Sequence, residues 1–99
     1  MTDSEIRLQA TGTLLMETDR VMVWRYDFAP GAETGWHIHG HDYVITTLTD
    51  CALRLELPGG EVRESFIPAG SAYSRPLGTE HNVINASDQP MSFIEVELK

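Results

Sequence analysis

Four histidines and one tyrosine are the residues of this chain whose types and spacing could support metal chemistry. His37, His39 and His41 alternate in the segment GWHIHGHDY, which ends at Tyr43, and the fourth histidine, His81, lies far along the chain. In a strand, residues i and i+2 point to the same side, so His37 and His39 can converge on one point. A His-x-His pair alone is weak evidence, because exposed strands carry such pairs by chance. The metal interpretation requires a third ligand from a distant strand.

The elements that must position these side chains are predicted to be β-strands. Residues 20–28, 43–48, 52–57 and 91–98 alternate in polarity or are rich in β-branched residues, and no window carries a long apolar stripe at the helical period. Turn signals separate these runs: Pro30-Gly31, Pro58-Gly59-Gly60, Pro68-Ala69-Gly70, Pro76-Leu77-Gly78 and Ser87-Asp88-Gln89-Pro90. Short strands interrupted by Gly and Pro are typical of an antiparallel sandwich or barrel.

The surroundings of His81 resemble the second signature motif of the cupin family. That motif reads Gly, five residues, Pro-x-Gly, two residues, His, three residues, Asn. The chain has the required residue at every fixed position, namely Gly70, Pro76, Gly78, His81 and Asn85. A chance match at five fixed positions with all spacings kept is improbable.

The first cupin motif is matched in part. It reads Gly, five residues, His-x-His, three or four residues, Glu, six residues, Gly, and the chain has Gly31, His37 and His39 in the required places. Tyr43 stands where the family has Glu, and Asp50 stands where it has Gly. The two motifs with the segment between them cover residues 31–85, which is over half of the chain.

The resemblance implies a small all-β jelly-roll barrel of antiparallel strands, with the two histidine-bearing strands meeting inside. We expect one barrel domain over residues 11–99, preceded by a segment, residues 1–10, that is flexible or pairs with a partner chain. The implied metal ligands are His37, His39 and His81, and the implied cofactor is a divalent transition metal such as Fe, Zn, Ni or Mn. A metal-free cupin with three hydrogen-bonded histidines is the alternative.

Tyr43 is the departure that bears most on chemistry. Without the family's Glu, three neutral imidazoles leave an ion with its full charge and with more positions open to water or substrate. Three-histidine cupins of this pattern include dioxygenases. We expect Tyr43 to be a catalytic residue that hydrogen-bonds to substrate. The alternatives are a buried aromatic that fills the space left by Glu and a direct phenolate ligand, and a phenol with a pKa of about 10 binds metals poorly.

Further pocket residues follow from the strand faces. We expect a substrate pocket lined by Tyr26, Tyr43, Tyr73, Arg75 and Phe93, within a mainly apolar wall to which Trp24, Phe28 and Ile45 also belong. Arg75 could bind a substrate carboxylate or pair with one of the chain's acids. His41 and Asp42 are expected to be solvated or to lie at a dimer edge, and contact with a ligand imidazole is the alternative.

The charge, hydropathy and cysteine content of the chain limit its expected partners and compartment. The 99 residues carry 15 acidic and 7 basic side chains, a net charge of -8, which disfavours nucleic acid and anionic membranes as partners. No apolar run approaches the roughly 20 residues of a membrane span, and Thr2 to Glu5 are too polar to open a signal peptide. The single cysteine, Cys51, excludes an internal disulfide and is expected to be a buried, inert thiol. We therefore expect a cytoplasmic protein.

Two functions are compatible with these features. The first is a metal-dependent enzyme acting on a small molecule, either a dioxygenase-like oxidoreductase or a lyase or isomerase. The alternative is a non-catalytic cupin that binds or senses a small ligand with a structural or ligand-anchoring metal. A homodimer is expected because residues 21–24 are apolar on both faces of their strand. The segments 34–44 and 70–85 are similar to small single-domain cupins associated with β-alanine catabolism, an association that implies no substrate.

Overall fold

The computed structural model describes residues 7–99, which form nine β-strands and one short 3-10 turn at Pro58–Gly60. The strands are β1 (Thr11–Glu17), β2 (Val21–Phe28), β3 (His37–Ile38), β4 (Asp42–Thr47), β5 (Cys51–Glu56), β6 (Val62–Ile67), β7 (Ala72–Arg75), β8 (Glu80–Asn85) and β9 (Met91–Leu98). Within the described residues, no helix is long and apolar enough to cross a membrane. The predicted all-β class is confirmed.

The strands form two antiparallel sheets. One has five strands in the order β1-β2-β9-β4-β7, and the other has four in the order β3-β8-β5-β6. The predicted turn segments all lie between strands, and the Pro76-Leu77-Gly78 turn joins β7 to β8. Gly78 has φ of 89°, a left-handed conformation that favours glycine at this turn.

The inner face of the five-stranded sheet presents its side chains in rows that run across neighbouring strands. Residues in register on adjacent antiparallel strands point to the same side, so each row forms a continuous strip. From β7 through β4 to β9 the first row is Arg75, Tyr43 and Glu97, and the second is Tyr73, Ile45 and Glu95. A third row continues from Thr47 through Phe93 to Tyr26.

A single apolar core lies between the sheets. Its buried members are Phe28, Ala32, Tyr43, Ile45, Cys51, Leu53, Val83, Met91 and Phe93. Asn85 is buried among them at 1% exposure. Its Nδ2 donates to the backbone oxygen of Gln89 at 2.8 Å, and its Oδ1 accepts from the Ser87 backbone nitrogen at 3.0 Å. The last fixed residue of the second motif therefore ties β8 to the loop that leads into β9.

The outer face of the five-stranded sheet is apolar in its middle. Val23 of β2, Val96 of β9 and Val44 of β4 lie in register, and all three are only partly buried. The edge strand β1 is exposed along its whole length. Its pairing with β2 shifts register between Leu14 and Met16, so a bulge interrupts the alternation of this strand.

The described part of the N-terminal segment packs against the barrel. Arg7 Nη1 lies 3.3 Å from Glu33 Oε1 and 3.5 Å from Glu56 Oε1. The backbone nitrogen of Ala10 donates to the Glu33 oxygen at 2.8 Å. The predicted flexible or partner-paired segment spans residues 1–10, of which residues 1–6 lie outside the described part of the chain.

Candidate metal centre and cavity

Three histidines from two chain regions meet at one point of the barrel interior. His37 on β3 lies directly across from His81 on β8, and His39 follows two residues after His37. The Nε2 atom of His39 is 3.0 Å from that of His37 and 3.2 Å from that of His81. The structure thus brings together the three residues implied as metal ligands by the cupin motifs.

The loop before β3 orients the His37 ring. Its Nδ1 lies 2.9 Å from the Gly35 carbonyl oxygen and 3.3 Å from Thr34 Oγ1. Donation from Nδ1–H to Gly35 leaves the Nε2 lone pair facing the other two rings, which assigns the tautomer from the hydrogen bond. The Asn82 side chain accepts from the Gly35 backbone nitrogen at 3.0 Å. Asn82 therefore fixes the loop whose carbonyl holds His37.

The turn of the second motif holds the backbone of His39. The Gly78 nitrogen donates to the His39 oxygen, and the His39 nitrogen donates to the Thr79 oxygen, both at 2.9 Å. The Tyr43 ring stacks on the His39 imidazole with centroids 3.8 Å apart and planes inclined by 18°. Backbone pairing and ring stacking together restrict both the position and the plane of His39.

The electrostatics keep the buried imidazoles neutral. Burial, followed by the charge of His37, lowers the pKa of His39 to about 4. Burial, followed by the charges of the other two histidines, lowers the pKa of His81 to about 4. Neutral imidazole is the form that binds metals.

The spacing of these atoms fits a metal ion. Two nitrogens bound to one ion at about 2.0–2.1 Å lie roughly 2.8–3.4 Å apart when the angle at the ion is between a right angle and a tetrahedral one. The Nε2 separations of 3.0 and 3.2 Å fall in this range. His37, His39 and His81 therefore match in donor type and spacing what a first-row divalent ion requires.

Tyr43 is fully enclosed at 2% exposure. Burial, and then the negative charge of Glu95, raises the pKa of its phenol, while a hydrogen bond with Thr79 opposes the rise. A phenol in this state does not ionise near neutral pH, which speaks against its binding a metal as phenolate. Stacking on His39 and enclosure in the core are the geometric facts, and its catalytic role stays a prediction.

A cavity of about 470 Å³ adjoins the histidines, a volume that suits a small molecule. The five predicted pocket residues all line it: Tyr26, Tyr43, Tyr73, Arg75 and Phe93. Ile45 lines it as well, whereas Phe28 is buried in the core and Trp24 lies beside Tyr26 with ring centroids 6.3 Å apart. The Arg75 guanidinium carbon lies 4.8 Å from the centre of the Tyr73 ring. The guanidinium lies on the cavity wall, and its Nη1 donates to the Ser74 carbonyl oxygen at 2.9 Å.

Two acidic residues of the cavity were missed by the sequence analysis. Glu95 and Glu97 of β9 both line the cavity, and His41 lies at its rim, with Nδ1 3.1 Å from Glu97 Oε2. Alternation alone does not say which face of β9 is inside, but Phe93 was assigned to the wall and shares its face with both acids. The shared face of Phe93, Glu95 and Glu97 was therefore the signal in the sequence that could have placed both acids in the cavity. Asp42 is exposed and accepts a hydrogen bond from the Leu77 nitrogen at 2.7 Å.

Two antiparallel sheets enclosing a cavity with a three-histidine cluster define a small β-barrel of the jelly-roll type. Comparison with known families places the chain more narrowly, because the family described as cupin domain matches residues 24–97. The chain belongs to the cupin family, and the expected jelly-roll architecture is confirmed.

Individual relatives agree with this assignment. The β-alanine degradation protein BauB of Pseudomonas aeruginosa is 52% identical over 93 residues, which cover 94% of this chain and 97% of that protein. The crystal structure of a cupin domain from Bordetella pertussis Tohama I is 45% identical, with a TM-score of 0.90 over 94% of this chain and 96% of that one. The polyketide cyclase RemF of Streptomyces resistomycificus shares the fold at 23% identity, with a TM-score of 0.72 over 93% of this chain and 68% of that one.

Proposed function

We propose that this cupin is a metal-dependent enzyme acting on a small molecule held in the cavity. The observation that carries the proposal is the convergence of three Nε2 atoms, 3.0 and 3.2 Å apart, on the cavity wall. A divalent ion held by His37, His39 and His81 would supply a Lewis acid that polarises an oxygen of the ligand. Either dioxygenase-like or lyase and isomerase chemistry can use such a site.

The remaining wall assigns roles to this chain's own side chains. Arg75 offers a guanidinium that can bind a carboxylate by two parallel hydrogen bonds. The Tyr43 ring keeps His39 in its plane, and the other aromatic side chains exclude water from the ligand. The 52% identical relative is named for β-alanine degradation, which agrees with a small ligand that bears a carboxylate.

Metal loading tests the proposal. Protein stripped with chelator and then supplied with Fe(II), Mn(II), Ni(II) or Zn(II) is expected to gain thermal stability. At a free metal concentration of 100 times Kd the gain is about 2.7 kcal/mol, which corresponds to roughly 10–20 °C in Tm for a domain of this size. Trace metal in the purified protein together with no stabilisation by any of the four ions would falsify the proposal.

Turnover separates the possible chemistries. Oxygen consumption by the Fe(II)-loaded protein with candidate small acids identifies the dioxygenase-like form, and substrate conversion without oxygen uptake identifies the lyase or isomerase form. If the protein binds both metal and a small ligand but converts none of the candidate substrates, it is the non-catalytic binding cupin.

We also propose that two copies pair through the outer face of the five-stranded sheet, where Val23, Val96 and Val44 form an apolar row. Val96→Asp is expected to convert a dimer to a monomer in light scattering after size exclusion, because a buried unpaired charge opposes the contact. Phe66→Asp is the matched control, since Phe66 is 63% exposed on the other sheet. A folded Val96→Asp protein that stays dimeric contradicts this interface.

The state of the single cysteine, Cys51, bears on the cellular compartment in which the protein acts. Cys51 is buried, its Sγ lies 3.4 Å from the Thr49 carbonyl oxygen, and burial raises the pKa of the thiol. A thiol of this kind is poorly reactive and forms no internal disulfide. We propose that the protein acts in the cytoplasm, where thiols are kept reduced.

A further inference from the structure

Strand β9 turns its acidic face toward the cavity. Glu95 and Glu97 share the inward face with Phe93, whereas Ile94 and Val96 point away from the cavity. Glu95 is only 6% exposed, and a buried carboxyl is costly unless it is paired or protonated. A soluble barrel has no structural need for two acids on its inner wall, so their position calls for a chemical explanation.

Glu95 and Glu97 share one environment. Glu97 has a partner at the rim, His41, at 3.1 Å. Glu95 lies one row deeper, across from Ile45 on β4 and Trp24 on β2. Burial first, and then the neighbouring Glu97, raise the pKa of Glu95 above the usual range of a glutamate. Glu95 therefore holds its proton to a higher pH than an exposed carboxyl does.

The other groups that face Glu95 do not exchange protons in this range. Burial raises the pKa of Tyr26 and of Tyr73 to about 12, and raises that of Tyr43 further. Burial lowers the pKa of His39 and of His81 to about 4, so these two imidazoles are already neutral in this range. Apart from the rim pair of His41 and Glu97, Glu95 is the group on the described cavity wall that can carry a proton to and from a ligand.

We propose that Glu95, paired with Glu97, is the acid–base catalytic residue of the cavity and that it acts on a small oxo acid. This inference rests on the proposed metal site and extends it to a substrate class and a reaction type. Arg75 binds the carboxylate and Glu95 moves a proton beside the carbonyl group, which an ion held by the three histidines would polarise. The positions of these residues agree with this division of roles, because all of them line one cavity. Arg75 and Glu97 lie on either side of Tyr43 in one row of the sheet, and Glu95 lies in the next row.

The proton transfer balances without a co-reactant. The C–H bond next to the carbonyl breaks, its electron pair is taken up by the carbonyl group, and the proton passes to the Glu95 carboxylate. The resulting carboxyl group returns the proton to the same carbon or to a neighbouring atom. Neither an oxidant nor a reductant is needed, and no group leaves, so the reaction belongs to the isomerase class.

The protonation of Glu95 can be tested in the metal-free protein by infrared titration in the presence of a chelator. The wild type is expected to show a protonated-carboxyl band that persists above pH 6 and disappears at higher pH, and Glu95→Gln is expected to lack it. Glu97→Gln should shift the midpoint to lower pH, because it removes the neighbouring negative charge. Glu64→Gln is the matched control, since the Glu64 side chain is 70% exposed. A wild-type protein in which all carboxyls titrate below pH 6 would contradict the claim that Glu95 holds its proton to a raised pH.

The catalytic role can be tested with pyruvate, the simplest oxo acid, as the probe. Zn(II)- or Mn(II)-loaded protein is expected to accelerate exchange of the methyl protons of pyruvate for deuterium, followed by NMR. Glu95→Gln should slow this exchange by about 10²-fold or more while its metal affinity stays within a few-fold of the wild type. Exchange by the wild type should also increase with pH up to the pKa of Glu95.

The outcomes separate the two proposals. Metal binding without acceleration of exchange, or full exchange by Glu95→Gln, overturns the role of Glu95 and leaves the metal site standing. A protein that binds no metal overturns the proposed function, and exchange that proceeds without metal overturns the role given to the ion. In both of these cases the infrared titration still decides whether Glu95 and Glu97 hold a proton.

Discussion

His81→Ala is expected to abolish the thermal stabilisation that a divalent metal gives to this protein. His81 supplies one of three Nε2 atoms, and its removal leaves two donors 3.0 Å apart on one side of the site. Loss of a hydrogen-bond partner to a ligand typically costs 10–100-fold in metal affinity. We expect the loss of a ligand itself to exceed about 100-fold, measured as Kd by calorimetry or by competition with a chelator.

His41→Ala is the matched control for this prediction. His41 also lies near the cavity, but its Nδ1 contacts Glu97 and its side chain is 39% exposed. We expect this variant to keep the metal with Kd within a few-fold of the wild type. An equal loss in both variants would mean that the ion is not held by the cluster of His37, His39 and His81.

Asn85→Ala is expected to lower the stability of the protein strongly without changing its affinity for the metal. Asn85 donates to the Gln89 carbonyl and accepts from the Ser87 backbone, so alanine leaves several buried polar groups without partners. Each such group costs about 1–3 kcal/mol, and we expect the free energy of unfolding to fall by about 3 kcal/mol, which corresponds to a drop of roughly 12–24 °C in Tm. Thermal denaturation followed by circular dichroism measures this loss.

Ser87→Ala separates the contribution of the loop from that of the buried amide. The Ser87 hydroxyl donates to Asn85 Oδ1 at 2.9 Å and lies nearer the surface. We expect this variant to lose no more than about 1 kcal/mol. The metal Kd of folded Asn85→Ala should equal that of the wild type. An unchanged Tm for Asn85→Ala would show that the second motif does not keep this residue for stability.

The cluster of three histidines could be foreseen from the sequence because its elements are local and fixed in spacing. His37 and His39 share a strand face by simple alternation, and the turn ending at Gly78 precedes His81 by a constant number of residues. What no alternation could supply is the distance between β3 and β8, which depends on the pairing of residues 44 positions apart. The cupin resemblance supplied that pairing.

The acids on the cavity wall and the first strand could not be foreseen in the same way. A strand with one apolar and one acidic face usually buries the apolar face, whereas β9 buries Glu95 and exposes part of Val96. In β1, the run Leu14-Leu15-Met16 lacks alternation because a bulge places an extra residue there. In both cases tertiary packing overrides the local pattern. For β1 only the pairing with β2 reveals the face of each residue, whereas for β9 the assignment of Phe93 to the wall already indicated the inner face.

The strand that carries His37 is only two residues long. Two residue pairs join it to β8, so this part of the barrel can open locally at a smaller free-energy cost than the long strands β2 and β9. Opening would separate one ligand from the other two while the rest of the sheet stayed paired. Entry and release of the ion would then follow the lifetime of this open state rather than unfolding of the barrel, and amide hydrogen exchange at His37 and Ile38 would slow once the ion is bound.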